Sequence, residues 1–218
     1  MRKMFILSLL MLFSLAVWLT SCESKKKKQQ EVEKTEEVVK QDTIAELVVE
    51  NTISSDREYM FLNYGDNYRW YETCILLADY LDADEQDGKV EGVSNVFQYL
   101  TVVDSTSFDV NVVISAYAKD KYTYEVHPGL WVGDSPLNEE NIALTFEEAY
   151  ERVMAANYVK PHSRNCVLRR EVGPAPNVAP QYVFGNQRSQ LYVNATTGEV
   201  RDTNPAFEGF EKPLGEWP

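Results

Sequence analysis

The sequence predicts an α+β fold, with a helix packed on an antiparallel β-sheet, and three observations predict it. Phe108, Val110, Val112, Ile114 and Ala116 alternate along one extended run, which is the period-two pattern of a strand. Leu144-Thr145-Phe146-Glu147-Glu148 places a Thr at an N-cap and a Glu three residues later, the signature of a capping box. Three strand-like runs then follow that helix, separated by Gly, Pro and Asn residues.

The elements are read in chain order. An aromatic cluster of Tyr59, Phe61, Tyr64, Tyr68, Trp70 and Tyr71 is broken by a turn at Gly65-Asp66-Asn67. Tyr71, Cys74, Ile75, Ala78 and Leu81 fall at helical spacing and predict a helix over 70–81. Strands are expected over 96–103 and 108–117, then a turn at 119–121 and a third strand over 122–126. In the second half the capped helix runs to about Asn157, with Phe146, Ala149, Tyr150, Val153 and Met154 as its buried stripe. Pro161 lies beyond its end. Strands over 165–172, 181–184 and 190–194 follow, and Ala195-Thr196-Thr197-Gly198 turns the chain into Glu199-Val200. Residues 205–218 read as an irregular tail whose Phe207, Phe210 and Trp217 can pack back.

The N-terminus has the layout of an export signal. Arg2 and Lys3 precede an uncharged run from Met4 to Leu19, and Leu19-Thr20-Ser21-Cys22 follows. This resembles the lipobox of bacterial lipoproteins. The resemblance implies cleavage before Cys22 and acylation of that cysteine, including palmitate, and several acyl chains hold a protein firmly to a bilayer. A plain transmembrane anchor is the competing reading, but the apolar run is about 16 residues where a span needs roughly 20. Residues 23 to about 50 carry Lys25-Lys26-Lys27-Lys28-Gln29-Gln30 and a Glu, Val and Lys mixture without aromatics. That composition suits a solvated tether, with lysines near anionic headgroups. The expected organisation is a signal peptide over 1–21, a lipidated tether over 22–55, an N-terminal α+β unit over 56–137, a second over 138–204, and the tail.

Composition narrows the function. The 218 residues are 44% hydrophobic with a formal charge of -13, and loss of Arg2 and Lys3 with the signal makes the remainder more acidic. So acidic a chain is a poor nucleic-acid binder. After Cys22 only Cys74 and Cys166 remain. Export permits a disulfide between them, and two buried thiols are the alternative.

Residues 144–201 resemble PepSY-type domains of bacterial envelope proteins. The resemblance is carried by Leu144-Thr145-Phe146-Glu147-Glu148-Ala149, by Pro180-Gln181-Tyr182-Val183, and by Leu191-Tyr192-Val193-Asn194-Ala195-Thr196-Thr197-Gly198-Glu199-Val200. Asn194 stands where the family usually has Asp, and Asn preserves the Asx-turn chemistry. The loop over 173–180 departs from the pattern. The resemblance implies a helix ahead of antiparallel strands and a non-catalytic role in binding or inhibiting another envelope protein. The first half reads either as a degenerate copy of the second, giving two tandem units, or as part of one continuous α+β domain. The expected location is the cell envelope, with the outer membrane of a Gram-negative cell favoured.

No catalytic residue, metal ligand or cofactor is assigned. Asp82, Asp84 and Asp87-Gly88 fail the EF-hand spacing, because Asp87 falls where Gly is needed and Val93 where Glu is needed. His127 and His162 lie beside prolines in loops, and sequence spacing supplies neither with a partner. Trp70, Tyr71 and Trp131 are candidates for an exposed ligand platform, against burial in a core. The competing functions are therefore a glycan-binding module built on those aromatics and an envelope hydrolase, which would need a cleft with convergent polar groups.

Overall fold

The computed structural model describes residues 48–102, 107–119, 121–132, 135–175 and 177–209. Cys22, the signal segment, the lysine-rich stretch and residues 210–218 lie outside these. Helix α1 (Val49–Tyr64) leads into four strands, β1 (Tyr68–Leu77), β2 (Val90–Val102), β3 (Phe108–Ala118) and β4 (Lys121–Pro128). A 3-10 turn (Glu139–Asn141) precedes helix α2 (Phe146–Ala155). Strands β5 (Asn165–Arg169), β6 (Gln181–Asn186), β7 (Ser189–Asn194) and β8 (Val200–Arg201) follow, and a second 3-10 turn covers Pro205–Phe207. All eight strands form one sheet in the order β4-β3-β2-β1-β5-β6-β7-β8, and every pairing is antiparallel. The α+β class is therefore what the sequence predicts. Each half is a helix followed by four strands, and the halves meet where β1 pairs with β5.

Two elements differ from the sequence reading. Residues 70–81 are not a helix: β1 occupies Tyr68–Leu77. Trp70, Thr73, Ile75 and Leu77 are its buried residues beneath the helices, and a register shift between Trp70 and Glu72 breaks the alternation. A bulge of this kind throws side chains out of period two, which leaves apolar residues at spacings that imitate a helix. The second difference is α1, which begins at Val49 inside the stretch assigned to the tether. Its buried positions are Val49, Thr52, Ile53, Asp56 and Met60. These have helical spacing, but two of the five are polar, so the apolar stripe is incomplete.

Strand β2 begins at Val90, well before the expected start at Val96, and the remaining boundaries lie near their expected positions. The alternating run of β3 also exposes a subtlety. Val110, Val112, Ile114 and Ala116 do share a face, but Val113 and Ser115, which alternate with them, are the fully buried residues. The core lies on the helix side and joins Val113, Phe97, Ile75, Cys166, Leu168, Phe184 and Val193 across the sheet to Met60 of α1 and Phe146, Ala149 and Val153 of α2.

Local chemistry explains α2. Thr145 Oγ1 accepts from the Glu148 N–H at 3.2 Å, and Glu148 Oε2 accepts from the Thr145 N–H at 2.8 Å. Glu50 of α1 adds a third cap by accepting from the Phe146 N–H at 2.7 Å, so one helix N-terminus is closed by a side chain of the other. In the loop over 170–180, Gly173 passes so near the second 3-10 turn that a Cβ there would sit 2.4 Å from the Ala206 carbonyl oxygen. Replacing Thr145 with Ala should lower the unfolding free energy by about 1 kcal/mol, read as a shift in urea midpoint at unchanged slope.

Candidate functional site

The most developed polar constellation lies beneath α1. Asp56 is fully buried on the inner face of that helix. Its Oδ2 accepts from Asn95 Nδ2 at 2.7 Å and from Ser115 Oγ, and its Oδ1 accepts from Tyr124 OH at 2.8 Å. Asn95 Oδ1 in turn accepts from Thr73 Oγ1. The Trp70 indole N–H is shared between Thr73 Oγ1 at 3.1 Å and the Glu72 carbonyl at 3.2 Å. One carboxyl group is thus linked, directly or through Asn95, to side chains of all four strands of the first half. The ring of Tyr124 also stacks on Tyr59 of α1, with centroids 3.8 Å apart. Burial, and then the Asp56 carboxyl beside it, push the Tyr124 hydroxyl well above the ordinary tyrosine range.

Each of these side-chain polar groups has a hydrogen-bond partner within the network, which suits it to positioning α1. Sequence reasoning did not single out Asp56, Thr73, Asn95, Ser115 or Tyr124. The available signal was the helical spacing of Val49, Ile53, Asp56 and Met60, where a lone acid interrupts an apolar stripe.

Of the three aromatic residues suggested for an exposed platform, one is taken into the core. Trp70 is 5% exposed and belongs to the core cluster, since its position on β1 turns it beneath the helices. Tyr71 is the half-buried residue at the bulge, and Trp131 is half-buried with its backbone N–H donating to Gln98 Oε1 at 2.9 Å. No disulfide joins Cys74 and Cys166. Cys166 pairs across the strands with Ile75 rather than with Cys74, so the two thiols point to opposite faces of the sheet. Cys166 is fully buried, which raises its pKa well above the ordinary thiol value. Cys74 is half-buried and its thiol approaches Glu72 Oε1 at 3.0 Å.

The histidines occupy the surface. His162 Nδ1 lies 3.0 Å and 3.1 Å from the two carboxyl oxygens of Asp82, and its ring stacks on Tyr80 with centroids 4.2 Å apart. Its side chain is 73% exposed, so the pair fastens the 80–82 loop to the 161–163 turn in open solvent instead of lining a desolvated pocket. His127 Nε2 lies 3.3 Å from Glu125 Oε2, and both side chains are exposed. Among the described residues no group of three or more His, Cys, Asp or Glu side chains converges as a metal site. Asp87 instead accepts from the Lys89 N–H at 2.9 Å.

A cleft of about 420 Å³ opens beside β8 and is lined in part by Gln181, Asn194, Glu199, Arg201 and Glu208. Its guanidinium is already engaged. Arg201 donates to both oxygens of Glu199, at 2.9 and 3.0 Å, and to Glu208 at 2.6 Å. The hydrogen bond from Arg201 holds the Glu199 carboxyl below its usual range. Two acids around one base leave a surplus of negative charge, which disfavours an anionic ligand.

No protein-family model, no curated protein and no solved structure matches the chain.

Two measurements test the network. Asp56→Ala leaves the Asn95, Ser115 and Tyr124 donors without their acceptor and should destabilise the fold by about 3 kcal/mol or more in urea unfolding. The second measurement is pH dependence. The folded pKa of Tyr124 lies above its unfolded value of about 10, so its contribution is intact below about pH 10 and is lost as the pH rises beyond it. Stability measured from about pH 9 to 12 should therefore fall more steeply for the wild type than for Tyr124→Phe.

Proposed function

We propose that this protein is a lipid-anchored lipoprotein of the bacterial cell envelope whose folded body is a non-catalytic, PepSY-like binding or inhibitory module, present as two tandem copies. The observation that carries the reading is the repeated order of helix and four strands on either side of the β1–β5 pair. A helix and its four strands cannot bury both edges alone, and joining two such units through their first strands makes one continuous sheet over one core.

The second half supplies local support. The segment from Leu144 begins α2 with a reciprocal cap. Pro180-Gln181-Tyr182-Val183 leads into β6, and the turn between β7 and β8 is an Asx-turn in which Asn194 Oδ1 accepts from Thr196 N–H at 2.9 Å and Thr197 N–H at 3.0 Å. Gly198 completes that turn with a φ of 76°, a conformation that favours glycine. These are the positions on which the resemblance rests. The module reading is also favoured over a hydrolase because the two histidine–carboxyl pairs are exposed and lie on different parts of the surface.

The anchor is tested at Cys22. Cys22→Ser should move the protein out of the membrane fraction or leave it as unprocessed precursor, as seen by fractionation and intact mass. Wild-type fractionation together with wild-type mass would refute lipidation at this residue.

A further inference from the structure

The sheet has two ends, and they are built differently. At one end β8 is two residues long, and its Arg201 is clasped by Glu199 and Glu208. Short strands and local charge are common ways of blunting an edge. At the other end β4 is eight residues long, pairs with β3 in unbroken register, and is exposed at seven of its eight positions. Its sequence, Lys-Tyr-Thr-Tyr-Glu-Val-His-Pro, is rich in strand-forming residues.

The direction of each backbone group on β4 follows from the pairing. The Gly129 N–H donates to the Val110 carbonyl at 2.9 Å, and hydrogen-bonded and non-hydrogen-bonded pairs alternate along an antiparallel ladder. Counting back from Gly129, residues His127, Glu125, Thr123 and Lys121 direct their N–H and C=O groups to β3. Tyr122, Tyr124 and Val126 direct theirs away from the sheet. Pro128 falls in the outward set, where its missing N–H costs no pairing with β3.

We propose that β4 is a self-association edge, at which two copies of this chain pair antiparallel about a twofold axis at Thr123. Charge selects both the partner and the register. With the axis at Thr123, the outward groups of Tyr122 hydrogen-bond those of Tyr124 in the second copy, and the converse pair forms by symmetry. Lys121 then lies opposite Glu125 of the second copy on both sides of the axis. These are non-hydrogen-bonded pairs, in which side chains approach most closely. An axis at Glu125 would oppose two carboxylates, and an axis at Tyr124 would set Lys121 against His127. Of these three registers, only the one about Thr123 sets opposite charges face to face. Lys121, Thr123 and Glu125 are all exposed, so this pairing requires no rearrangement of their side chains out of the core. It is independent of the reading given under Proposed function.

The experiment uses the full-length chain in a detergent extract of whole cells. Thr123→Cys puts two thiols across the axis at a separation that a disulfide spans. Mild oxidation should yield a disulfide-linked homodimer that the wild type, with its own Cys22, Cys74 and Cys166, does not form. Adding Lys121→Glu places like charges together twice and should weaken association about tenfold. Adding Glu125→Lys as well should restore it. A monomeric Thr123→Cys protein, cross-linking to a different protein in place of a second copy, or failure of the double charge reversal to restore the dimer would each overturn the proposal.

Discussion

The buried Asp56 carboxyl is the constraint around which the first half is organised. Removing such a group from water is costly unless its oxygens are fully hydrogen-bonded, and the donors that satisfy it come from β2, β3 and β4. Those donors are useful only if the three strands hold one register and α1 lies over them at one rotation and one height. A helix resting on apolar contacts alone could slide with modest loss. Here a displacement would strand Asp56, Asn95 and Ser115 in the core together. The polar network therefore contributes to uniqueness of position as well as to stability.

The same constraint explains which parts of the fold were legible in the sequence. The second half is built on apolar periodicity: Phe146, Ala149 and Val153 from α2 meet Tyr182, Phe184, Leu191 and Val193 from the sheet. Its helix, its cap and its three longer strands could all be read, because hydrophobic pattern and local capping chemistry agree there. In the first half, Thr52, Asp56, Thr73, Asn95 and Ser115 take positions that apolar residues would otherwise fill. Asp56, Thr73, Asn95 and Ser115 are satisfied by one another from far along the chain, a relation that no local window contains. Helix α1 was hidden for this reason, and β1 was masked in addition by its bulge. The candidate site suffered in the same way. The aromatic residues drew attention by composition, while the polar residues that organise the half are individually commonplace.

The seam between the halves is as specific as the network. Beyond the β1–β5 ladder, the Leu77 N–H donates to the Arg164 carbonyl at 2.8 Å, and Arg164 Nε returns a bond to the Leu77 carbonyl at 2.7 Å. The Leu81 N–H then donates to the Ser163 carbonyl at 2.9 Å, and Arg164 reaches Glu91 at the start of β2. The exposed His162–Asp82 contact closes the same boundary at the surface. Main-chain pairing, a guanidinium and a surface side-chain contact thus act in series across one joint, and Glu50 capping α2 adds a link between the helices. With these connections the two halves should unfold together.

Such a joint also determines where variation can occur. A sheet that continues through β1 and β5 has no free edge in its middle, so among the described residues its edges are β4 and β8. The first of these lies in the half whose core contains the buried polar network. Tyr124 connects the two features, since its side chain binds Asp56 beneath α1 while its backbone faces outward from the sheet. The position and twist of the exposed strand are therefore set from inside the core. A change that loosens Asp56 would reach the edge through Tyr124 before it reached β8, seven strands away. The buried polar network thus fixes the geometry of the long strand that forms one end of the sheet among the described residues, which an apolar core of equal volume would hold less firmly.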